Sequence, residues 1–140
     1  IVTYLIIQKP GVAILAEIAA ASGEFLLGSP FGLPMLLYGL VQGLFAELIF
    51  MAFAYQKHHL FVAILAGISA CIGSLLMDVF YGEITNLALW NVSLLIITRM
   101  IGSIFFAGIC AYLLVKVLET TGVTRLVRPV TKSDFDALHR

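Results

Sequence analysis

Along most of this chain, apolar residues run without the two-residue alternation of a half-buried strand or the single stripe of a surface helix, and polar residues gather into short clusters. Apolar runs at residues 10–28, 35–55, 60–81 and 91–118 are each long enough to cross a bilayer as a tilted helix. Pro10 suits a first helical turn, Gly28-Ser29-Pro30 closes one run and Pro34 opens the next. The cluster Gln56-Lys57-His58-His59 and the stretch GEITNLALWN separate the others. The opening octapeptide IVTYLIIQ covers only about 12 Å as a helix, against a hydrocarbon core of about 30 Å. It is expected to be the end of a helix that begins upstream. The pattern predicts an all-α polytopic membrane bundle: four full transmembrane helices plus the end of a fifth (residues 1–8), one domain over 1–119, and a tail over 120–140.

Composition agrees, since 61% of residues are hydrophobic and 11% charged, well below the roughly 25% charged residues of soluble domains. Eight basic and eight acidic side chains cancel, leaving no overall field to attract nucleic acid. Lys9 and Lys57 fall in the first and third connections, and Lys116, Arg125, Arg128, Lys132 and Arg140 at or beyond the last run, so the positive-inside rule places these and the tail in the cytoplasm. Cys71 and Cys110 lie in apolar runs and read as small packing residues. Gly39 and Gly43, and the face Ala63, Gly67, Ala70 and Ser74, are close-approach surfaces between helices.

Five ionisable side chains, Glu17, Glu24, Glu47, Asp78 and Arg99, sit inside the runs. An Asp or Arg at the centre of a span costs about 2.5 to 3.5 kcal/mol, so these groups must face inward toward partners, water or a ligand. With midpoints near residues 19, 45, 71 and 104, Glu24, Gln42, Asp78 and Arg99 fall about 4 to 11 Å toward the outside and converge on one level. Tyr38, Tyr81 and Trp90 flank that level, as site residues or as an interfacial aromatic belt. If Arg99 pairs with one acid, three carboxyl groups stay unbalanced and must be neutral, hydrogen-bonded or matched by an incoming cation. No arrangement of His, Cys and acids suggests a metal site or a nucleophile with its base, and no phosphate-binding glycine loop occurs. No cofactor and no enzymatic activity are expected.

The runs KPGVAILAE (9–17), EFLLGSPFG (24–32) and GLVQGLFAE (39–47) together resemble the YkoE-type substrate-binding components of energy-coupling-factor transporters, over about residues 1–120. The resemblance implies a six-helix membrane protein with both ends cytoplasmic, of which the octapeptide is the end of the second helix. It implies thiamin or its hydroxymethylpyrimidine precursor as ligand, and a transmembrane coupling subunit and an ATPase pair as partners. Phe45 stands where that family often has Gly, narrowing the bundle locally. On this reading Glu24 is the principal countercharge, Gln42 and Glu47 hydrogen-bond the ligand, and Tyr38, Tyr81 and Trp90 stack on it or cover it. Asp78 and Arg99 form a structural pair beside the site, and Glu17 is a secondary buried acid. A self-contained proton-coupled carrier and a structural subunit of a larger complex remain alternative readings of the same charges.

Overall fold

A computed structural model describes residues 1–30, 32–55, 59–82 and 84–122. Lys57 and the basic residues of the tail lie outside these. The described residues form α1 (Val2–Ile7), α2 (Val12–Leu26), α3 (Pro34–Ala52), α4 (Leu60–Phe80), α5 (Leu89–Gly102), a π-helical segment (Ser103–Cys110) and α6 (Ala111–Thr120). The last three run on as one helix, Leu89–Thr120, and three helices among the described residues are long and apolar enough to span a membrane: Pro34–Ala52, Leu60–Phe80 and Leu89–Thr120.

The expected run 10–28 is corrected to the 15 residues of α2. Pro10 sits in a turn, and the left-handed Gly11 (φ 82°) precedes the helix, which delays its start to Val12. At about 1.5 Å per residue α2 is some 22 Å long, shorter than the hydrocarbon core. Pro34 opens α3, where its missing N–H leaves no helical acceptor unpaired.

Consecutive helices pack side by side, α2 on α3, α3 on α4, and α4 on the π segment, while α1 touches both α2 and α6 and draws the two ends of the row together. The α2–α3 contact is close because of two glycines. A Cβ on Gly39 would stand 2.6 Å from the Cβ of Ala21 and 2.9 Å from the Glu17 carbonyl oxygen, and one on Gly43 would stand 2.8 Å from Ile14 Cα. The pair 39 and 43 therefore fixes Glu17 of α2 opposite the middle of α3. On the other side of α4, Gly67 receives Ser103, whose hydroxyl donates to the Gly67 carbonyl at 2.5 Å, and Gly108 packs on Ile64. Phe45 does not crowd the bundle, because its ring lies over Gly73, 3.1 Å from where a Cβ would be.

The core concentrates at the end where α2 and α4 begin and α3 and α6 finish, termed the lower end. Tyr4, Leu5, Ala13, Phe50, Val62 and Val115 meet there, with Tyr4 stacked on Phe50 at 3.6 Å between ring centres. The opposite, upper end is looser, and no residue of α5 is buried.

Candidate functional site

Between these two ends lies a cavity of about 280 Å³. Glu17 of α2, Gln42 of α3, Cys71 and Ser74 of α4, Arg99 of α5 and Ser103 of the π segment line it, so four helices and the π segment each bring chemistry to one space. The π segment's wider turn carries Ser103 and Ala107 onto the same wall as Arg99. Such distortions of a helix recur at functional sites.

Arg99 is held from behind. Its Nη1 donates to Ser74 Oγ at 2.9 Å and to Asp78 Oδ2, and the other Asp78 oxygen accepts from the Tyr38 hydroxyl at 2.8 Å. Asp78 is 1% exposed, while the Arg99 side chain reaches the cavity surface at 38%. Tyr81 stacks on Tyr38 with 5.8 Å between ring centres. Asp78 and Arg99 thus neutralise each other, and Glu17 is the acid on the cavity wall that takes no part in this pair. The Glu17 side chain is 29% exposed, with Oε1 forming an ion pair at 3.8 Å with the amino group of Ile1, which also lines the cavity.

Of the six residues expected to meet the ligand, Gln42 lines the cavity and Glu24, Glu47, Tyr38, Tyr81 and Trp90 do not, the two tyrosines lying instead behind Asp78. Glu24, expected as the principal countercharge, is exposed in the last turns of α2 and is not on the cavity wall. Glu17 is the carboxylate that lines it. Both share a helical face, but the glycine contacts set Glu17 level with Gln42 and leave Glu24 toward the upper end. Glu47, expected to bond the ligand, instead accepts from the Gly11 N–H at 2.6 Å, the Ala13 N–H at 3.0 Å and the Tyr55 hydroxyl at 2.8 Å, at the lower end. Trp90 is 72% exposed and joins neither cluster. Ser74 and Ser103 are polar contributors that the charge pattern did not single out. Ser103 follows Arg99 by one helical turn, a spacing that could have found it.

A family model described as "ABC-type cobalt transport system, permease component" matches residues 1–73. The chain is 32% identical over 123 residues to the Bacillus subtilis protein named "Putative HMP/thiamine permease protein YkoE", covering 88% of this chain and 62% of that one. It also superimposes, with a TM-score of 0.81 and 33% identity, on the "Crystal structure of an S-component of ECF transporter", covering 88% of this chain and 63% of that one. The chain belongs to the S-component family of ECF transporters. The resemblance carried by the 9–17, 24–32 and 39–47 runs is borne out at that level. This S-component chain spans less than two thirds of the length of either relative. It is a multi-pass membrane helix bundle, and its family is one of transporter components rather than enzymes.

Within the S-component the site reads as a polar pocket walled by small residues. Gly39, Gly43 and Gly67 bring the helices close enough for Glu17, Gln42 and Arg99 to share one cavity. A volume of about 280 Å³ is near the roughly 300 Å³ lower end of ordinary small-molecule sites.

Proposed function

We propose that this chain is the substrate-binding part of an ECF importer that captures a small cationic or amino-substituted heterocycle, thiamin or hydroxymethylpyrimidine, in the cavity between α2 and α5. The observation that carries the reading is the Glu17 carboxylate on a cavity wall where Arg99 is already neutralised by Asp78, with the Ile1 amine 3.8 Å away as its own cationic contact. A bound thiazolium or an exocyclic amino group would supply a closer positive or donor partner for Glu17 than the amine of Ile1 at 3.8 Å. Gln42 offers both a donor and an acceptor for a pyrimidine edge, and Ser74 and Ser103 offer hydroxyls. The small volume suits a one- or two-ring ligand. The name of the Bacillus subtilis relative supports the same choice.

The cobalt in the name of the matching family model fits this chain less well. Among the described residues no group of three His, Cys, Asp or Glu side chains could hold a metal ion.

In the complete transporter the chain would add its ligand-bound bundle to a transmembrane coupling subunit and an ATPase pair, with the membrane lipid around it. The described helices would then be the second to sixth of six, with Lys9 and the tail facing the cytoplasm and the upper end facing outward. ATP hydrolysis on the partner subunits would drive release.

The test is equilibrium binding of thiamin and of hydroxymethylpyrimidine to the purified protein and two variants. Glu17→Gln is expected to weaken thiamin by at least about tenfold, the scale of losing one charge-assisted contact, while Glu24→Gln changes it by less than about twofold. The reverse order would return the countercharge to Glu24 and remove Glu17 from the site.

A further inference from the structure

Glu47 is buried at 4% exposure, and it divides its two oxygens between separate elements. Oε1 accepts from the Gly11 N–H and from the Tyr55 hydroxyl, and Oε2 accepts from the Ala13 N–H. The Gly11 and Ala13 amides belong to the start of α2, where no helical carbonyl is available to them and where the positive end of the helix dipole lies. The residue at the helix start, Gly11, provides no side-chain cap. A carboxylate from the neighbouring helix does so instead, and thereby ties the beginning of α2 to α3.

This tie has a consequence for height along the bundle. The faces that join α2 to α3 are lined by small residues, whose close contacts set the helix separation and part of the resistance to sliding. Directional hydrogen bonds at a helix start resist it strongly. Glu17 lies one helical turn beyond Ala13 on the same face, so wherever Ala13 is pinned, Glu17 follows. The segment after α3 serves the same end. Ala54 and Tyr55 both take left-handed backbone angles (φ 51° and 55°), a conformation unfavourable for a non-glycine residue, and the turn they make brings the Tyr55 hydroxyl back onto Glu47. Desolvation, followed by the hydrogen bond to Glu47 and the charge of that carboxylate, pushes the Tyr55 phenol up to about 12, so it stays a donor across the physiological range.

We propose that Glu47 is a positioning residue for ligand binding: by bridging the first turn of α2 to α3, it fixes the helix register that holds Glu17 in the cavity. The proposal rests on Glu17 being the ligand-facing acid. Glu47 touches no ligand and acts only through α2.

Two measurements test it. In thiamin binding, Glu47→Gln is expected to lower affinity about tenfold in the otherwise native protein and less than about twofold in a Glu17→Gln background, because residues acting through one another are not additive. An equal loss in both backgrounds, or no loss in the native one, overturns it, since general loosening of the fold ignores the identity of residue 17. Ligand-free hydrogen exchange judges the register separately, and so still decides the matter if thiamin proves not to be the ligand. Glu47→Gln should speed exchange at the amides of residues 11–19 by about tenfold or more while leaving Leu60–Phe80 unchanged. Unchanged exchange in 11–19, or equal acceleration in both segments, contradicts the proposal. Tyr55→Phe, which keeps both backbone contacts, should show the same pattern with a smaller amplitude and covers the case in which Glu47→Gln does not fold.

Discussion

Asp78 holds an arginine and a tyrosine from two neighbouring helices with a single buried carboxylate, and this makes it the residue on which the upper half of the site depends. Removing one member of a buried ion pair commonly costs about 3–5 kcal/mol, because the partner is stranded. Arg99 is 38% exposed toward the cavity and so recovers part of that loss through water. Asp78→Asn is therefore expected to destabilise the protein by about 2 kcal/mol, measured by thermal melting in detergent, and Tyr38→Phe by about 1.5 kcal/mol, the lower end for a hydrogen bond to a charged group. An Asp78→Asn variant as stable as the native protein would mean that the pair is not load-sharing between α4 and α5. The Asp78–Arg99 pairing could be read in the sequence, because an acid and an arginine at one depth in hydrocarbon have few other choices. The roles of Glu17 and Glu24 could not, because a seven-residue spacing gives both the same face and leaves their heights relative to α3 undetermined.

Helix register supplies what the spacing lacks. Gly39 faces Ala21 and the Glu17 carbonyl so closely that a methyl group cannot be added without moving α2. Gly39→Ala is expected to cost about 1–3 kcal/mol, the range of overpacking in a filled interior, and to weaken ligand binding by displacing Glu17. The double variant Gly39→Ala with Ala21→Gly should recover most of both losses, because the clash at 2.6 Å is between those two positions. Gly102→Ala, with no atom within 4 Å of the added carbon, is the comparison, and thermal melting reads all three. Failure of Ala21→Gly to rescue would show that the contact does not set the register. At this scale the sequence was legible for the existence and approximate ends of the long helices. It was less so for α2, where Gly11 and Pro10 delay the start, and it was silent on the π segment, since Ser103–Cys110 carries the same apolar pattern as a regular helix.

The whole bundle is unevenly built, with a dense lower end of stacked aromatic and small residues and a looser upper end beside the cavity. Such a division suits a binding component: a firm base keeps Glu17 and Gln42 at fixed heights while the upper segments leave room for a ligand to enter. Membrane character and the helices followed from the apolar runs and the composition, and the family resemblance rested on three short runs, two of which carry the Glu17, Gly39, Gly43 and Glu47 of the α2–α3 contact. Glu47 shows why those runs did not reveal roles, because a buried acid that caps a helix and one that meets a ligand look identical in sequence. The central claim, that the ligand occupies the space among Glu17, Gln42 and Arg99, is open to a direct reading through Cys71, which lines that space and is 7% exposed. In a Cys110→Ala protein, the alkylation rate of Cys71 by a small thiol reagent should fall at least about tenfold when thiamin is present at about 100 times its Kd, since few empty sites then remain. A rate unchanged by saturating thiamin would place the ligand elsewhere and contradict the account.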